Sequence, residues 1–197
     1  YGGQVQGYTY AREGHPNATV LAQKIDALEG APAAGGGGVI VSSGMAAVTS
    51  VLMGLLQQGD HAVAGVQLYG RSLRLLSQDL QRFGVTATLA DPTDAQAIAA
   101  AIGPQTRLVL VEIVSNPTLR VADLDGIVKA AHARGAKVVV DNTFTTPRGI
   151  RPFEHGADIV LHSVTKLLAG HADVTLGYIA ARDPADRKLI YDFAVTT

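Results

Sequence analysis

The sequence predicts an α/β protein: a mostly parallel sheet covered by helices on both faces. Three observations lead there. From Val39 onward, short β-branched runs alternate with longer helical stripes of apolar residues, the pattern of crossover connections between parallel strands. Polar residues with chemical potential fall just past strand or helix junctions, where open α/β sheets bind ligands. And 47% of the 197 residues are hydrophobic against 17% charged, enough apolar surface for a large folded core. Such a length admits one sizeable domain or a large part of a two-domain enzyme.

Val39-Ile40-Val41 is the first strand. Met45 to Gln57 is the next element, a helix with Ala46, Ala47, Val51, Leu52, Leu55 and Leu56 as its apolar stripe. Gly59-Asp60 closes that unit and His61-Ala62-Val63-Ala64 opens the second strand. Leu73 to Phe83 is helical and stops at Gly84, a glycine just past a helix end. Val85 to Leu89 is a strand, Asp94 to Ile102 a helix, and Leu108 to Glu112 a buried strand. Asp123 to Arg134 is a helix ended by Gly135. Lys137 to Asp141, Ile159 to His162 and Thr175 to Ala181 are further strands. Ala31 to Gly38 is expected as a flexible surface loop ahead of the first strand, with a domain linker as the alternative.

Composition excludes several classes. A formal net charge of −1 leaves no basic footprint for nucleic acid. The absence of cysteine rules out a disulfide framework and cysteine-based zinc sites, and fits an intracellular setting. No apolar run is long enough to span a bilayer, and no signal-peptide pattern opens the chain, so no membrane partner is expected.

Ser163-Val164-Thr165-Lys166, with Gly170-His171 and Asp173 behind it, comes directly after the apolar run Ala157 to His162. A lysine where a buried strand ends, beside small hydroxyl residues able to hold a phosphate, is poorly explained as a solvated surface charge. A partly desolvated lysine amine is the usual Schiff-base nucleophile. Asp141 ends another strand. It is either an N-cap for the segment after the strand or, the stronger reading, a fixed negative charge that keeps a heterocyclic nitrogen protonated. Lysine and acid together match what pyridoxal phosphate needs, because its protonated ring is the electron sink. Ser43-Gly44-Met45 opens a helix after a strand. Alone it is best read as an N-cap and tight turn, with a backbone cradle for phosphate as the alternative. Neither the Gly-x-x-x-x-Gly-Lys-Ser/Thr nor the Gly-x-Gly-x-x-Gly pattern stands after that strand, which weighs against nucleotide triphosphates and dinucleotides. Tyr69 is either a core aromatic with a wet hydroxyl or a ring lying flat on a cofactor, its hydroxyl free for acid–base work. Glu112 and Ser115-Asn116-Pro117 make either a plain turn or a polar rim around such a ring. His162 and His171, with Asp173 nearby, match no common metal-site spacing, so no metal is expected. His171 should pack or bond within the loop after Lys166, and the other histidines should lie on the surface or in loops.

Together these motifs resemble the trans-sulfuration, or Cys/Met-metabolism, family of pyridoxal-phosphate enzymes. Its members include cystathionine γ-lyase, cystathionine γ-synthase, methionine γ-lyase and the O-acylhomoserine sulfhydrylases. The likeness covers nearly the whole chain. It runs through Tyr10-x-Arg12-x-Gly14-x-Pro16, Leu28-Glu29-Gly30, Ser43 to Ala47, Gly59-Asp60 and Leu68-Tyr69-Gly70. It continues through Glu112 with Ser115-Asn116-Pro117, Val140 to Phe144 with Pro147, and Ser163-x-Thr165-Lys166 with Gly170-His171-x-Asp173.

The resemblance implies an aminotransferase-like large domain (PLP fold type I) over residues 39–197. Residues 1–38 would be an N-terminal segment serving the neighbouring subunit's site. Lys166 would hold pyridoxal 5'-phosphate as a Schiff base and, once freed, take the substrate's Cα proton. Asp141 would pair with the pyridinium nitrogen. Gly44, Met45, Ser163 and Thr165 would grip the phosphate, with Ser43 at the same helix start. Tyr69 would stack on the ring and assist proton transfer, and Asn116 would lie near the ring oxygen. Tyr10 and Arg12 would reach the phosphate of the neighbouring subunit, making a homodimer obligatory and a homotetramer common. The activity implied is C–S bond cleavage by elimination in the cytoplasm, of cystathionine γ-lyase type. Alternatives are γ-replacement (cystathionine γ-synthase or sulfhydrylase), methionine γ-lyase, or an inactive PLP-binding fragment.

Departures from the family pattern bear on the substrate. His15-Pro16-Asn17 stands where Asn-Pro-Thr is usual, and Ala22 replaces an acid. Arg71 takes the place of a small residue or of the cysteine frequent in methionine γ-lyases, which counts against that member and reshapes the substrate mouth. Glu112-Ile113-Val114 replaces Glu-Thr-Pro. The smaller C-terminal domain, with the arginine that binds the substrate carboxylate, lies outside a chain ending at Thr197. On its own, this stretch is expected to bind the cofactor but turn over little.

Overall fold

The computed structural model describes residues 7–196. Seven strands, β1 (Val39–Val41), β2 (His61–Gly65), β3 (Thr86–Ala90), β4 (Thr106–Glu112), β5 (Lys137–Asp141), β6 (Ile159–Ser163) and β7 (Gly177–Ala181), form one sheet. Its order is β1-β7-β6-β5-β4-β2-β3. The run from β6 to β3 pairs in parallel, whereas β7 is antiparallel to both β6 and β1. The mostly parallel sheet is therefore present, and each expected strand is found within a residue or two of its predicted bounds.

Among the described residues the α-helices are α1 (Pro16–Glu29), α2 (Gly44–Leu55), α3 (Gly70–Arg74), α4 (Ala95–Ala101), α5 (Leu124–His132), α6 (Thr146–Gly149) and α7 (Pro184–Thr196). The strands are apolar on both faces because both are covered, and their period of two sorts residues into two cores. Val63, Val109, Val111, Val138, Val140 and Val160 pack with Ile25 of α1, Ile98 of α4 and Ile127 of α5. Ala62, Leu108, Leu110, Val139, Ile159 and Leu161 pack with Leu52 of α2, Leu76, Leu80 and Ile190 of α7. Each fully buried Leu or Ile contributes about 1.5–3 kcal/mol to this arrangement.

Three expectations change. α1 and α7 stand outside the elements expected from sequence, because each buries too thin a stripe to register as periodic. α1 buries only Ala22, Ile25 and Glu29, and α7 only Asp186 and Ile190. The helix expected over Leu73 to Phe83 begins at Gly70 and changes pitch twice. A widened turn spans Leu75–Asp79 and a tight one Leu80–Phe83, and buried Leu76 and Leu80 anchor it to the sheet. Finally, Ala31 to Gly38 is no loose loop. A Cβ on Gly35 would lie 2.0 Å from the Ala181 carbonyl oxygen, and one on Gly38 would lie 2.4 Å from Tyr178 Cε2. These glycines let the backbone press against β7.

Strand succession reverses between β2 and β4, since the chain moves from β2 outward to β3 and then crosses back to β4. Such a switch point opens a crevice at the carboxyl ends of the strands.

Candidate active site

The crevice is spanned from both sides. Tyr69, in the turn after β2, donates its backbone N–H to Glu112 Oε1 at the end of β4 at 2.6 Å. Its side chain is 58% exposed, so the core-aromatic alternative is excluded and the ring stands free over the sheet end. Glu112 lies in register with Asp141 on the neighbouring strand. Both share the parity of the residues facing α2, so two carboxyls sit side by side at the sheet mouth. Burial and the adjacent Asp141 charge push Glu112 up to about 7, against the pull of the Tyr69 N–H. Burial also pushes the Asp141 carboxyl up, while hydrogen bonds from Thr143 and the charge of His162 hold it down. Two half-buried carboxyls side by side in one crevice repel each other, and a cationic ring nitrogen is a chemically fitting complement to Asp141.

Asp141 does not cap a helix. Its Oδ1 accepts the Thr143 backbone N–H at 3.0 Å, and Thr143 Oγ1 accepts the Ser163 N–H at 2.7 Å, so the tips of β5 and β6 are tied together. Ser163 in turn faces the start of α2. A Cβ on Gly44 would come within 2.5 Å of Ser163 Cβ, so only glycine lets the helix end approach so closely. Ser43 is the N-cap: its Oγ accepts the Ala46 N–H at 3.0 Å and its carbonyl the Ala47 N–H. This leaves the Gly44 and Met45 amides at the open helix end, beside the Ser163 hydroxyl. A cap and an anion cradle are thus compatible at one place, and the donor set fits a phosphate.

Other expected residues are placed differently. Thr165 Oγ1 accepts the Leu176 N–H at 3.0 Å and bonds the Leu176 carbonyl at 3.2 Å, so it closes the loop between β6 and β7. Lys166 sits on the turn past β6, its backbone N–H on the Ser163 carbonyl, with its side chain exposed. The desolvation expected for it is not supplied by the described residues. Thr165, Lys166, Leu167, Gly170, Asp173 and Thr175 line a shallow cleft of about 510 Å³ there. A larger cleft, about 920 Å³, lies elsewhere, between the N-terminal segment, β1 and α7. Arg12 lines it and stacks over Tyr10 at 5.2 Å. Among the described residues, no hydrogen bond or ion pair joins Tyr10 or Arg12 to Lys166, Asp141 or Ser163. Asn116 is exposed in a loop held by Ser115, whose Oγ accepts the Arg120 N–H at 3.0 Å; its peptide bond to Pro117 is cis. Arg71 is exposed in the first turn of α3.

The histidines have separate local tasks. His15 caps α1, its Nδ1 accepting the Asn17 N–H at 3.1 Å, so it does locally what an Asn does in that place. His171 Nδ1 bonds the Ala169 carbonyl within its own loop. His61 begins β2 as expected, half-buried, and bridges Thr106 and Thr88. His162 is fully buried and contacts Glu29, a pairing the sequence did not reveal. The available signal was parity: His162 alternates with Leu161 on the face of Val160, an imidazole inside an apolar core, which requires a partner. That the partner is the last residue of α1 could not be read.

The family model described as Cys/Met metabolism PLP-dependent enzyme matches residues 1–196. Cystathionine beta-lyase MetC of Bacillus subtilis is 42% identical over 184 residues, 93% of this chain and 46% of that protein. L-methionine gamma-lyase of Porphyromonas gingivalis is 41% identical over 184 residues, 93% of this chain and 45% of that protein. The crystal structure of cystathionine gamma-lyase from Lactobacillus plantarum complexed with L-serine superposes with a TM-score of 0.92 at 36% identity, covering 100% of this chain and 50% of that one. The chain thus spans about half the length of the relatives it matches. The chain belongs to the Cys/Met-metabolism family of PLP-dependent enzymes.

Proposed function

We propose that this chain carries the pyridoxal-phosphate site of an enzyme that cleaves C–S bonds of sulfur amino acids by elimination, of cystathionine γ-lyase type. The observation that carries the reading is the shared placement of Asp141, Ser163 and the Gly44 helix start at one sheet mouth. When bound, pyridoxal phosphate supplies an electron sink for negative charge at the substrate Cα. The Gly44 and Met45 amides, with the Ser163 hydroxyl, hold the phosphate; Thr165 braces the loop that carries the lysine. The Asp141 carboxylate would pair with the ring nitrogen and keep a proton there. Lys166 would hold the cofactor through Nζ and would take the Cα proton. Tyr69, exposed at the sheet end, would hand a proton to the departing sulfur, and Asn116 would lie at the ring's rim. Tyr10 and Arg12, paired with each other and apart from Lys166, serve the phosphate of a second copy, in a homodimer that assembles into a homotetramer. Sulfur amino acids, not nucleic acid or membrane, are the partners. Among the described residues no helix is long and apolar enough to cross a membrane, and the cytoplasm is the setting that goes with this reading.

The test is a visible spectrum of the protein with added pyridoxal phosphate, beside Lys166→Ala. A band in the parent that the variant lacks is expected; no band, or the same band in both, sinks the assignment. Products then choose the member. Cystathionine giving cysteine, 2-oxobutanoate and ammonia marks γ-elimination; homocysteine, pyruvate and ammonia marks β-elimination. Turnover only with O-acylhomoserine and a thiol marks γ-replacement.

A further inference from the structure

Glu29, His162 and Asn142 take no part in the arrangement above, yet they are among the most deeply buried polar side chains of the described residues. Glu29 Oε1 accepts from Asn142 Nδ2 at 2.9 Å and meets His162 Nε2 in a still shorter contact; Asn142 Nδ2 also donates to the Ile150 carbonyl at 3.0 Å. Glu29 Oε2, His162 Nδ1 and Asn142 Oδ1 have no hydrogen-bond partner among the described residues. A buried ion-pair-forming set of this kind is a poor way to stabilise a fold compared with apolar residues of the same volume. Its position in the chain is the informative fact. Asn142 directly follows Asp141, and His162 directly precedes Ser163. Alternation sends Asp141 and Ser163 to the α2 side, while Asn142 and His162 reach α1 on the other side. Glu29 therefore bolts together, from behind, the two strand ends that carry the acid and the hydroxyl of the site. Thr143 ties the same two ends from the front.

We propose that Glu29, His162 and Asn142 are positioning residues that hold Asp141 in place and set the charge it presents to the ring nitrogen of pyridoxal phosphate. This rests on the proposed assignment of Asp141 to that nitrogen. The titratable groups around His162 are Glu29 and Asp26 on α1, Tyr178 on β7 and Asp141 on β5. The Tyr178 ring centre lies 6.0 Å from that of His162, and its hydroxyl donates to Asp26 Oδ1 at 2.6 Å, so Tyr178 is held in place and Asp26 is occupied. Of these groups Asp141 is the one at the sheet mouth, and the charge of His162 opposes the effect of burial on it.

The test uses Glu29→Gln, which keeps size and an acceptor but removes the charge, and His162→Gln, which removes the imidazole. In the full-length protein, the dissociation constant for pyridoxal phosphate and the pH midpoint of its visible band are measured for both. The same readouts are taken for Asp141→Asn and for its double variants with each. Each single variant is expected to weaken binding by about threefold to tenfold and to move the midpoint by about half a pH unit or more. Neither should add to the effect of Asp141→Asn, because a residue acting through Asp141 has nothing left to act on. Unchanged binding and midpoint, or effects of equal size in the Asp141→Asn background, overturn the proposal. If His162→Gln does not fold, the Glu29→Gln pair of measurements decides alone. If Asp141→Asn itself changes neither readout, the assignment of Asp141 fails and this inference falls with it.

Discussion

The two sides of the sheet's carboxyl end differ sharply although they share the same strands. On the α2 side, Glu112, Asp141 and Ser163 are half-buried and Tyr69 and Lys166 stand exposed. On the α1 side, Glu29, Asn142 and His162 are sealed, with Glu29 Oε1 bonded to both of the others. One-residue alternation along β5 and β6 separates an open chemical surface from a closed structural one. Substitutions on the open side should therefore change chemistry with little effect on folding, and those on the closed side should do the reverse unless they act through Asp141.

The largest expected effect sits at the open rim. Lys166→Ala should lower turnover by at least about 10²-fold, the low end of what a positioned proton-transfer group contributes, with an unchanged melting temperature. A drop in melting temperature comparable to that of a core variant would break the contrast between the sides. Next, on the closed side, Glu29→Ala leaves His162 and Asn142 without their acceptor in a dry core. Denaturant unfolding should register a loss of about 3–5 kcal/mol, the cost of removing one partner of a buried pair. Gly44→Ala probes the seam between the two: a Cβ 2.5 Å from Ser163 Cβ should cost about 1–3 kcal/mol and weaken phosphate capture in the same variant, measured by pyridoxal-phosphate titration. Stability loss with intact capture would remove Gly44 from the cradle.

Two smaller effects sharpen the comparison. Glu112 holds its proton more tightly in the folded than in the unfolded state, its pKa raised from 4.5 to about 7. Its contribution to stability is therefore full below 4.5 and is lost as pH rises through about 7. Urea midpoints of the cofactor-free protein should fall across that interval, and Glu112→Gln should flatten the fall. Last, His15→Ala removes the cap of α1 at the end opposite Glu29. Thermal melts should show a loss of about 1 kcal/mol.

Much of the fold and of the site was legible in the sequence, for reasons that can be stated residue by residue. β5 and β6 are short, β-branched and apolar on both faces, so Lys137 to Asp141 and Ile159 to His162 could be placed from composition alone. Asp141, Ser163 and Lys166 stood out as candidates because chemistry-bearing residues at strand ends are hard to explain otherwise. The exposure of Lys166 could not be read, since desolvation depends on what covers the rim. Thr165 was expected on the phosphate, whereas its hydroxyl closes the loop to Leu176, a contact made across 11 residues of irregular chain. α1 and α7 escaped because their burial is confined to two or three positions each.

By itself, then, the sequence determined the α/β class, the strand positions, the residues at the strand ends and the family motifs they compose. These depend on local periodicity and on residue types, which are properties of neighbours along the chain. Tertiary structure alone decided that β7 enters antiparallel between β6 and β1, that Gly35 and Gly38 press against β7, and that Glu29 closes on His162 across 133 residues. Those outcomes depend on which faces meet when the helices close over the sheet, and no local pattern encodes the distance between residues so far apart in the chain.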